Sequence, residues 1–513
     1  MTLQSKRIAK LPNEYWWGGV INDGSLMPYG DAPYARDLRS TDDNQASPLL
    51  LSNQGRYLWS EDPFAFMVDE QELVIFYSES EVTLEEGHGS LQGAYRHAGN
   101  AFFPPSNRLP DDLAFLAPEY CTWVEMFYEP TQEKIIHYAE SILANGMPPG
   151  ILIIDDNWMK DYGMWDFDRS RFPDPRAMVD TLHGMGFKVM LWVCPYVSAD
   201  CTEYKKLLAD GILMKSVRGN PLIRRWWNGY SAVVDYTKEE GASWFKKQLD
   251  RLVDHYGVDG FKLDAGEPLI PESGDVLEEV AWTRPVRLLE DCEAYARLGI
   301  GYPLSELRMC WKLGGQPLIQ RQRDKHHSWD RYGLAGLIPN AIAQGLLGYA
   351  FNCPDMIGGG MDGDINSPNF HFDSELFIRF TQCAALFPVM QFSMAPWRVL
   401  QGEELAWCMD AIRLRTALGP EIFSLARQAS QDGLPILRSM EFVYPHQGYE
   451  KVQDQFMLGE KILVAPVLEK GKTSRKVHFP TGVWMGDDGT KIEGPSVLEV
   501  EAPLSKLPWY RKG

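Results

Sequence analysis

The chain reads as an α/β protein: a parallel (β/α)8 barrel flanked by N-terminal and C-terminal β-sandwich-type domains. Three observations predict this. Apolar strand-like runs alternate with helix-like stretches over nearly 300 residues, a rhythm that favours a parallel barrel over an open sheet. Polar residues gather where those runs end, which is where such barrels carry their chemistry. Short strand-like segments rich in turn residues fill both ends of the chain. At 513 residues the chain is too long for one core. We divide it into an N-terminal β domain (1–115), a barrel (116–408) and a C-terminal β region (409–513).

Each element has its own signal. In the first stretch, FAFMVDEQELVIFYSES alternates as antiparallel strands do. TWVEMFY reads as the first barrel strand, and TQEKIIHYAESILANG as a helix opened by Thr131 and closed by Gly146. GILIIDDNW is the next strand. In FPDPRAMVDTLHGMG, Asp174 can cap and Pro175 suits the first helical position. FKVMLWVCPY follows as a strand, TKEEGASWFKKQLDRLVDHYG as a helix, and VDGFKLD as a strand. From about residue 410 the runs KILVAPVLE, SRKVHFPTGVWM and SVLEVEAPL are short strands again.

The run ending at Asp264 carries a chemical signal. Strand side chains alternate, so Lys262 and Asp264 share one face while Phe261 and Leu263 share the other. A charged pair facing a barrel interior is expensive unless it is satisfied or used. Asp155 and Asp156 end a second strand, and Cys194 to Tyr196 end a third. Asp259 sits at a strand start and is expected to be structural.

Composition narrows the partners. With 50 basic and 70 acidic residues the net charge is −20, which argues against nucleic acid or an anionic membrane as a partner. The 17 tryptophans suit sugar recognition and core packing alike. No run of 18 apolar residues and no apolar leader segment stands out, so a soluble, cytoplasmic chain is expected. The eight cysteines include no C-x-x-C pair, and His326 and His327 have no partner at ligand spacing. No metal and no cofactor is expected.

Taken together, these residues resemble glycoside hydrolase family 31, the retaining α-glycosidases, from about Cys121 to Pro508. NWMKDYGMWDFDRSRFPDP resembles the family's stretch after the second barrel strand. MLWVCPY resembles its L-W-x-N-P-Y, with Cys194 at the asparagine, and VVDYTKEEGASWF resembles its D-F-T-N-P segment. FKLDAGE resembles the K-x-D-x-G-E form of the nucleophile motif, CPDMIGG the D-I-G-G, and FMLGEKILVAPVLEKGKTSRKVHFPTGVW the C-terminal domain. The resemblance implies a TIM barrel, Asp264 as nucleophile, Asp324 as acid/base and Arg308 as a sugar-binding arginine. It implies a sugar site that also uses Asp155, Asp156, Trp192, Lys262 and Asp355. Lys262 is expected to help keep Asp264 ionised, Gly266 to let backbone approach the substrate, and Glu267 to orient its neighbours. At most one of Trp226 and Trp227 is expected to touch a sugar. The implied partner is an oligosaccharide or small α-glycoside, and a homo-oligomer stays open.

Two departures matter. QRQRDKHHSW has Arg321 where the family usually has tryptophan and Arg323 where it has glycine. An arginine facing Asp324 works against a protonated acid, so both guanidiniums are expected to serve structural or surface roles elsewhere, with an acidic sugar as the alternative. Second, VMQFSMAPW replaces the usual R-N-H of α-glucosidases, with Gln391 near the place of the sugar-binding histidine. The resemblance therefore leans toward the family's α-galactosidases. The alternatives are an α-glucosidase, α-xylosidase or sulfoquinovosidase-like enzyme, a transglycosylase, and a sugar-binding pseudoenzyme.

Overall fold

Residues 3–269 and 279–513 are described by the computed structural model. Eight parallel strands form one sheet: Glu119–Cys121, Ile151–Ile154, Lys188–Val193, Gly260–Leu263, Leu304–Leu307, Ile319–Arg321, Asn352–Cys353 and Gln391–Phe392. We call them the first to eighth barrel strands. Neighbours follow chain order, and the eighth returns to the first with Gln391 opposite Glu119. Between the seventh and eighth, a Met356–Gln391 bridge and the bond from Val389 N to Asn352 O (3.1 Å) complete the ring. Closure leaves no open edge and sets all C-terminal strand ends around one mouth.

The helices begin where capping chemistry puts them. Helix Gln132–Ala144 starts with the Thr131 side chain accepting from Lys134 N. Helix Pro175–Gly184 starts with Asp174 accepting from Ala177 N and with proline in its first turn. Helix Glu239–Tyr256 stops at Gly257, whose φ of 76° is left-handed. One expected strand is displaced. The first barrel strand is Glu119–Cys121, and TWVEMFY, which begins just after it, holds no strand residue and forms a helical turn, Trp123–Met126. Val124 N donates to Ser393 Oγ (2.7 Å) and Trp123 Nε1 to Gly360 O (3.0 Å), so partners across the mouth override the β propensity of the segment.

The N-terminal part holds two four-stranded antiparallel sheets and the helix Leu91–Phe102. It docks against the barrel: Ala46 N donates to Cys310 O (3.0 Å), and Gln45 Nε2 donates to Arg308 O and Arg321 O, each at 2.6 Å. This contact brings the loop around Asp43 to the ends of the fifth and sixth strands. On the C-terminal side, helix Gly402–Asp432 runs straight through position 408 and leads into a six-stranded sheet. No helix among the described residues is long and apolar enough to cross a membrane. All eight cysteines are buried and unbridged.

Candidate active site

At the C-terminal mouth lies a cavity of about 660 Å3, within the size range of small-molecule sites. Seven of the sequence-predicted residues line it: Asp155, Asp156, Trp192, Lys262, Asp264, Arg308 and Asp324. They come from the ends of the second to sixth strands and the loops that follow. A three-stranded sheet, Tyr196–Ser198 with the hairpin Ile223–Trp226 and Gly229–Val233, leans over the opening after the third strand.

Asp264 sits one residue beyond the fourth strand. Trp192 Nε1 donates to its Oδ2 (3.0 Å) and Arg308 Nε to its Oδ1 (2.9 Å). Burial alone would push this carboxyl up, but Arg308, Lys262 and Arg321 outweigh burial and hold it far below the usual carboxylate range. Lys262 acts at a distance, because its ammonium is hydrogen-bonded to Asp155 Oδ2 at 2.7 Å. The direct partners of Asp264 are Arg308 and Trp192. Arg308 is itself fixed from three sides: it pairs with Glu267, donates to Asp43 O (2.9 Å) and packs over the Trp227 ring. Glu267 thus orients Arg308, and Tyr196 OH donates to its other oxygen (3.3 Å). Gly266 does a different job from the one expected. A Cβ there would meet the Tyr295 ring at 2.7 Å, so glycine is needed for packing behind the site.

This geometry predicts a stability effect. Arg308→Met leaves Asp264 and Glu267 buried without their nearest cation and is expected to cost about 3–5 kcal/mol. The folded-state pKa of Asp264 is depressed, so its charge contributes stability above the unfolded carboxylate pKa of about 3.9. That contribution is lost as pH falls through the folded value. Denaturant unfolding should therefore show a smaller difference between the two proteins at pH 3 than at pH 7.

Asp155 and Asp156 lie side by side at the end of the second strand. Asp155 is 3% exposed and accepts from Lys262, from Cys121 Sγ (2.9 Å) and from Asp156 N (2.9 Å). Asp156 accepts from Tyr162 OH (3.1 Å) and Asn228 Nδ2 (3.0 Å). Burial and the neighbouring Asp155 charge push its carboxyl up to about 7. Both side chains line the cavity.

Asp324 lies three residues past the sixth strand with its side chain 37% exposed. Arg321 contradicts the expectation that it faces away. It is 1% exposed, and its Nη1 lies 2.7 Å from Asp324 Oδ1 and 2.5 Å from Asp355 Oδ1. Such burial is sustainable because Glu306, its Oε1 3.3 Å from Nε, and Asp355 share the guanidinium with Asp324.

Two predicted sugar-binding residues are placed elsewhere. Asp355 is fully buried and does not line the cavity. It accepts from Arg321 and from Lys325 N (2.7 Å), so it braces the Asp324 loop from behind. Gln391 is also fully buried away from the cavity lining, and its Nε2 donates to Glu119 Oε2 (2.7 Å) and Glu306 Oε2 (2.6 Å). Glu119, Glu306 and Cys353 form the one group among the described residues whose spacing suits a cation. The Gln391 amide donates to one oxygen of each carboxylate there, and burial with the neighbouring Glu306 charge pushes the Glu119 carboxyl well above its usual range. His326 and His327 are held by Asp364 and by Gly358 O.

Several lining residues carried no decisive sequence signal. Trp226 and Trp227 both line the cavity, because Trp226 ends a strand and Trp227 begins the turn, where alternation no longer holds. Asp43 arrives from the N-terminal part, and Trp123, Tyr128 and Met361 from barrel loops. Arg323 lines the cavity too, with one hydrogen bond among the described residues, Nη1 to Asp42 O at 3.4 Å.

Comparison with known proteins gives this arrangement a context. Residues 116–293 match the domain model "Glycosyl hydrolases family 31 TIM-barrel domain", and residues 433–513 match "Glycosyl hydrolase family 31 C-terminal domain". The chain is 31% identical to the Myogenesis-regulating glycosidase of Mus musculus over 424 residues, covering 80% of this chain and 58% of that protein. It is 28% identical to the Sulfoquinovosidase of Agrobacterium fabrum over 365 residues, 67% of this chain and 54% of that protein. The chain thus spans little more than half the length of these relatives. In shape it is similar to the Flavobacterium johnsoniae GH31 dextranase solved with glucose, with a TM-score of 0.86, 20% identity, and coverage of 99% of this chain and 66% of that one. With the two domain models together matching half of its residues, the chain belongs to glycosyl hydrolase family 31.

Proposed function

We propose that the chain is a retaining exo-α-glycosidase that hydrolyses terminal α-linked sugars by double displacement. One observation carries this reading: Asp264, with both oxygens held and its charge stabilised, shares one cavity with the more exposed Asp324. In the first step Asp264 attacks the anomeric carbon, the glycosidic C–O bond breaks, and Asp324 gives its proton to the leaving oxygen. A β-glycosyl ester on Asp264 results. In the second step Asp324 takes a proton from water, the water oxygen attacks the anomeric carbon, and the ester C–O bond breaks to release an α-configured sugar. The gradient of burial supports an exo-acting site. Trp192, Lys262 and Asp155 are buried, whereas Trp227 is 49% exposed.

The lean toward galactose rested on Gln391, and that side chain does not line the cavity. Curated relatives are named for other sugars, among them an α-glucosidase, an α-xylosidase and a sulfoquinovosidase. We therefore carry the α-glycoside class forward with the galactoside as one member of a test panel. A second reading has its own support. Arg225 and Arg323 line the cavity, and neither forms an ion pair with a carboxylate among the described residues. Two such guanidiniums suit a sugar bearing an anionic group.

The test is release of nitrophenol from α-linked galactoside, glucoside, xyloside and sulfoquinovoside. Turnover of one sugar supports the reading and names the glycone, and preference for the sulfoquinovoside selects the anionic alternative. Binding without any turnover sinks the hydrolase reading. Trp227 is expected to act on the far side of the bond, as a platform for the leaving sugar. Trp227→Ala should raise KM for a disaccharide by about fivefold, equivalent to about 1 kcal/mol, and leave KM for a methyl glycoside nearly unchanged.

A further inference from the structure

We propose that Arg321 is a positioning residue that aims the proton of Asp324 and balances charge between the two carboxyl groups of the reaction. The inference rests on the two-aspartate reading above. Arg321 ends the sixth barrel strand, lies behind the cavity and does not line it. Its Nη1 donates to Asp324 Oδ1 at 2.7 Å, and no other hydrogen bond reaches that carboxyl among the described residues. In a protonated carboxyl the carbonyl oxygen is the better acceptor for a guanidinium N–H, so the acidic proton is favoured on the other oxygen. Oδ1 is thereby committed to Arg321, and Oδ2 is the oxygen that exchanges the proton with the glycosidic oxygen or with water.

The arginine is itself held in place. Asp355 Oδ1 accepts from the same Nη1 at 2.5 Å, and Glu306 faces Nε. Glu306 is in turn fixed by Gln391 from the eighth strand. A planar guanidinium hydrogen-bonded to Asp355 and to Gln322 O (3.1 Å), and in ion-pair contact with Glu306, presents one direction to Asp324.

Its remaining nitrogen gives the second half of the inference. Nη2 lies 3.9 Å from Asp264 Oδ1 and has no hydrogen-bond partner among the described residues. Before the first displacement Asp264 carries the negative charge and Asp324 the proton. In the glycosyl ester Asp264 is neutral, and Asp324 has lost its proton and carries the charge. One guanidinium within ion-pair distance of both therefore faces the same total charge at each stage. No buried charge is created or removed around it as the negative charge passes from one aspartate to the other.

The experiment compares Arg321→Gln, Arg321→Lys and Asp355→Asn with the parent protein. It uses dinitrophenyl, nitrophenyl and phenyl α-glycosides of the sugar preferred in the panel. The readout is kcat/KM against leaving-group acidity, with Asp324→Ala measured alongside. Dinitrophenolate leaves without help, whereas phenolate needs the proton, and general acid catalysis is worth about 10^2- to 10^4-fold. We expect Arg321→Gln to lower kcat/KM about 100-fold for the phenyl glycoside and less than about fivefold for the dinitrophenyl glycoside. Arg321→Lys should fall between, keeping the charge but losing the fork. Asp355→Asn removes the charge that anchors Arg321 while its amide oxygen can still accept from Lys325 N, and it should steepen the dependence in the same sense, so the test survives if Arg321→Gln fails to fold. A uniform loss across leaving groups in the Arg321 and Asp355 variants, with a steep dependence in Asp324→Ala, overturns the inference alone. A flat response in Asp324→Ala overturns the two-aspartate reading beneath it.

Discussion

Asp264→Ala is expected to lower kcat about 10^4- to 10^6-fold for any α-glycoside the protein cleaves, the range seen when a nucleophile is deleted from an intact site. The loss should be chemical in origin. Arg308 keeps its pairing with Glu267 and its bond to Asp43 O, so the cavity wall stays in place and substrate binding should change little. The variant also offers a positive signal. With a small leaving-group requirement, as in a dinitrophenyl glycoside, azide can enter the space vacated by the carboxylate. It attacks the anomeric carbon from the β face as the phenolate departs. The expected product is the β-glycosyl azide, identified by the coupling constant of its anomeric proton. Unchanged hydrolysis in this variant would remove Asp264 from the mechanism and with it the retaining reading.

The sequence is informative about this site where strands end and uninformative about what lies behind them. Lys262 and Asp264 share a face by strand parity, and both do point into one cavity. Thr131 and Asp174 open their helices because capping is a local property. Asp355 and Gln391 show the limit. Each is a polar residue at the seventh or eighth strand, yet both side chains are buried away from the cavity, and strands of two residues give no periodicity from which depth could be read. Arg321 shows a second limit. A lone arginine beside an acid is unfavourable to proton donation, and the sequence offers no sign that Asp355, 34 residues on, and Glu306, 15 residues back, share its charge. The contribution of Asp43 depends on docking between the N-terminal part and the barrel, which no local pattern encodes.

Asp324→Ala should behave differently from the nucleophile variant, and the contrast is the strongest check on the assignment of roles. For glycosides with poor leaving groups kcat/KM is expected to fall about 10^2- to 10^4-fold, because departure of the sugar oxygen needs the proton. For a dinitrophenyl glycoside the first step needs no proton and should stay nearly as fast as in the parent. The second step then becomes limiting, since no base activates water, and the ester on Asp264 should accumulate. Rapid mixing should show a burst of dinitrophenol equal to the enzyme concentration, followed by slow turnover. Azide needs no base, so it should accelerate that slow phase by attacking the ester from the α face, with the Asp264 carboxylate leaving. The product should be the α-glycosyl azide, opposite in configuration to that from Asp264→Ala. Arg321, freed of one carboxylate, still lies near Asp264, so the returning negative charge keeps a cation beside it and the rescued step should remain efficient. A β-configured azide from Asp324→Ala, or the absence of any burst, would mean that another group carries the proton and that the pairing of these two aspartates is wrong.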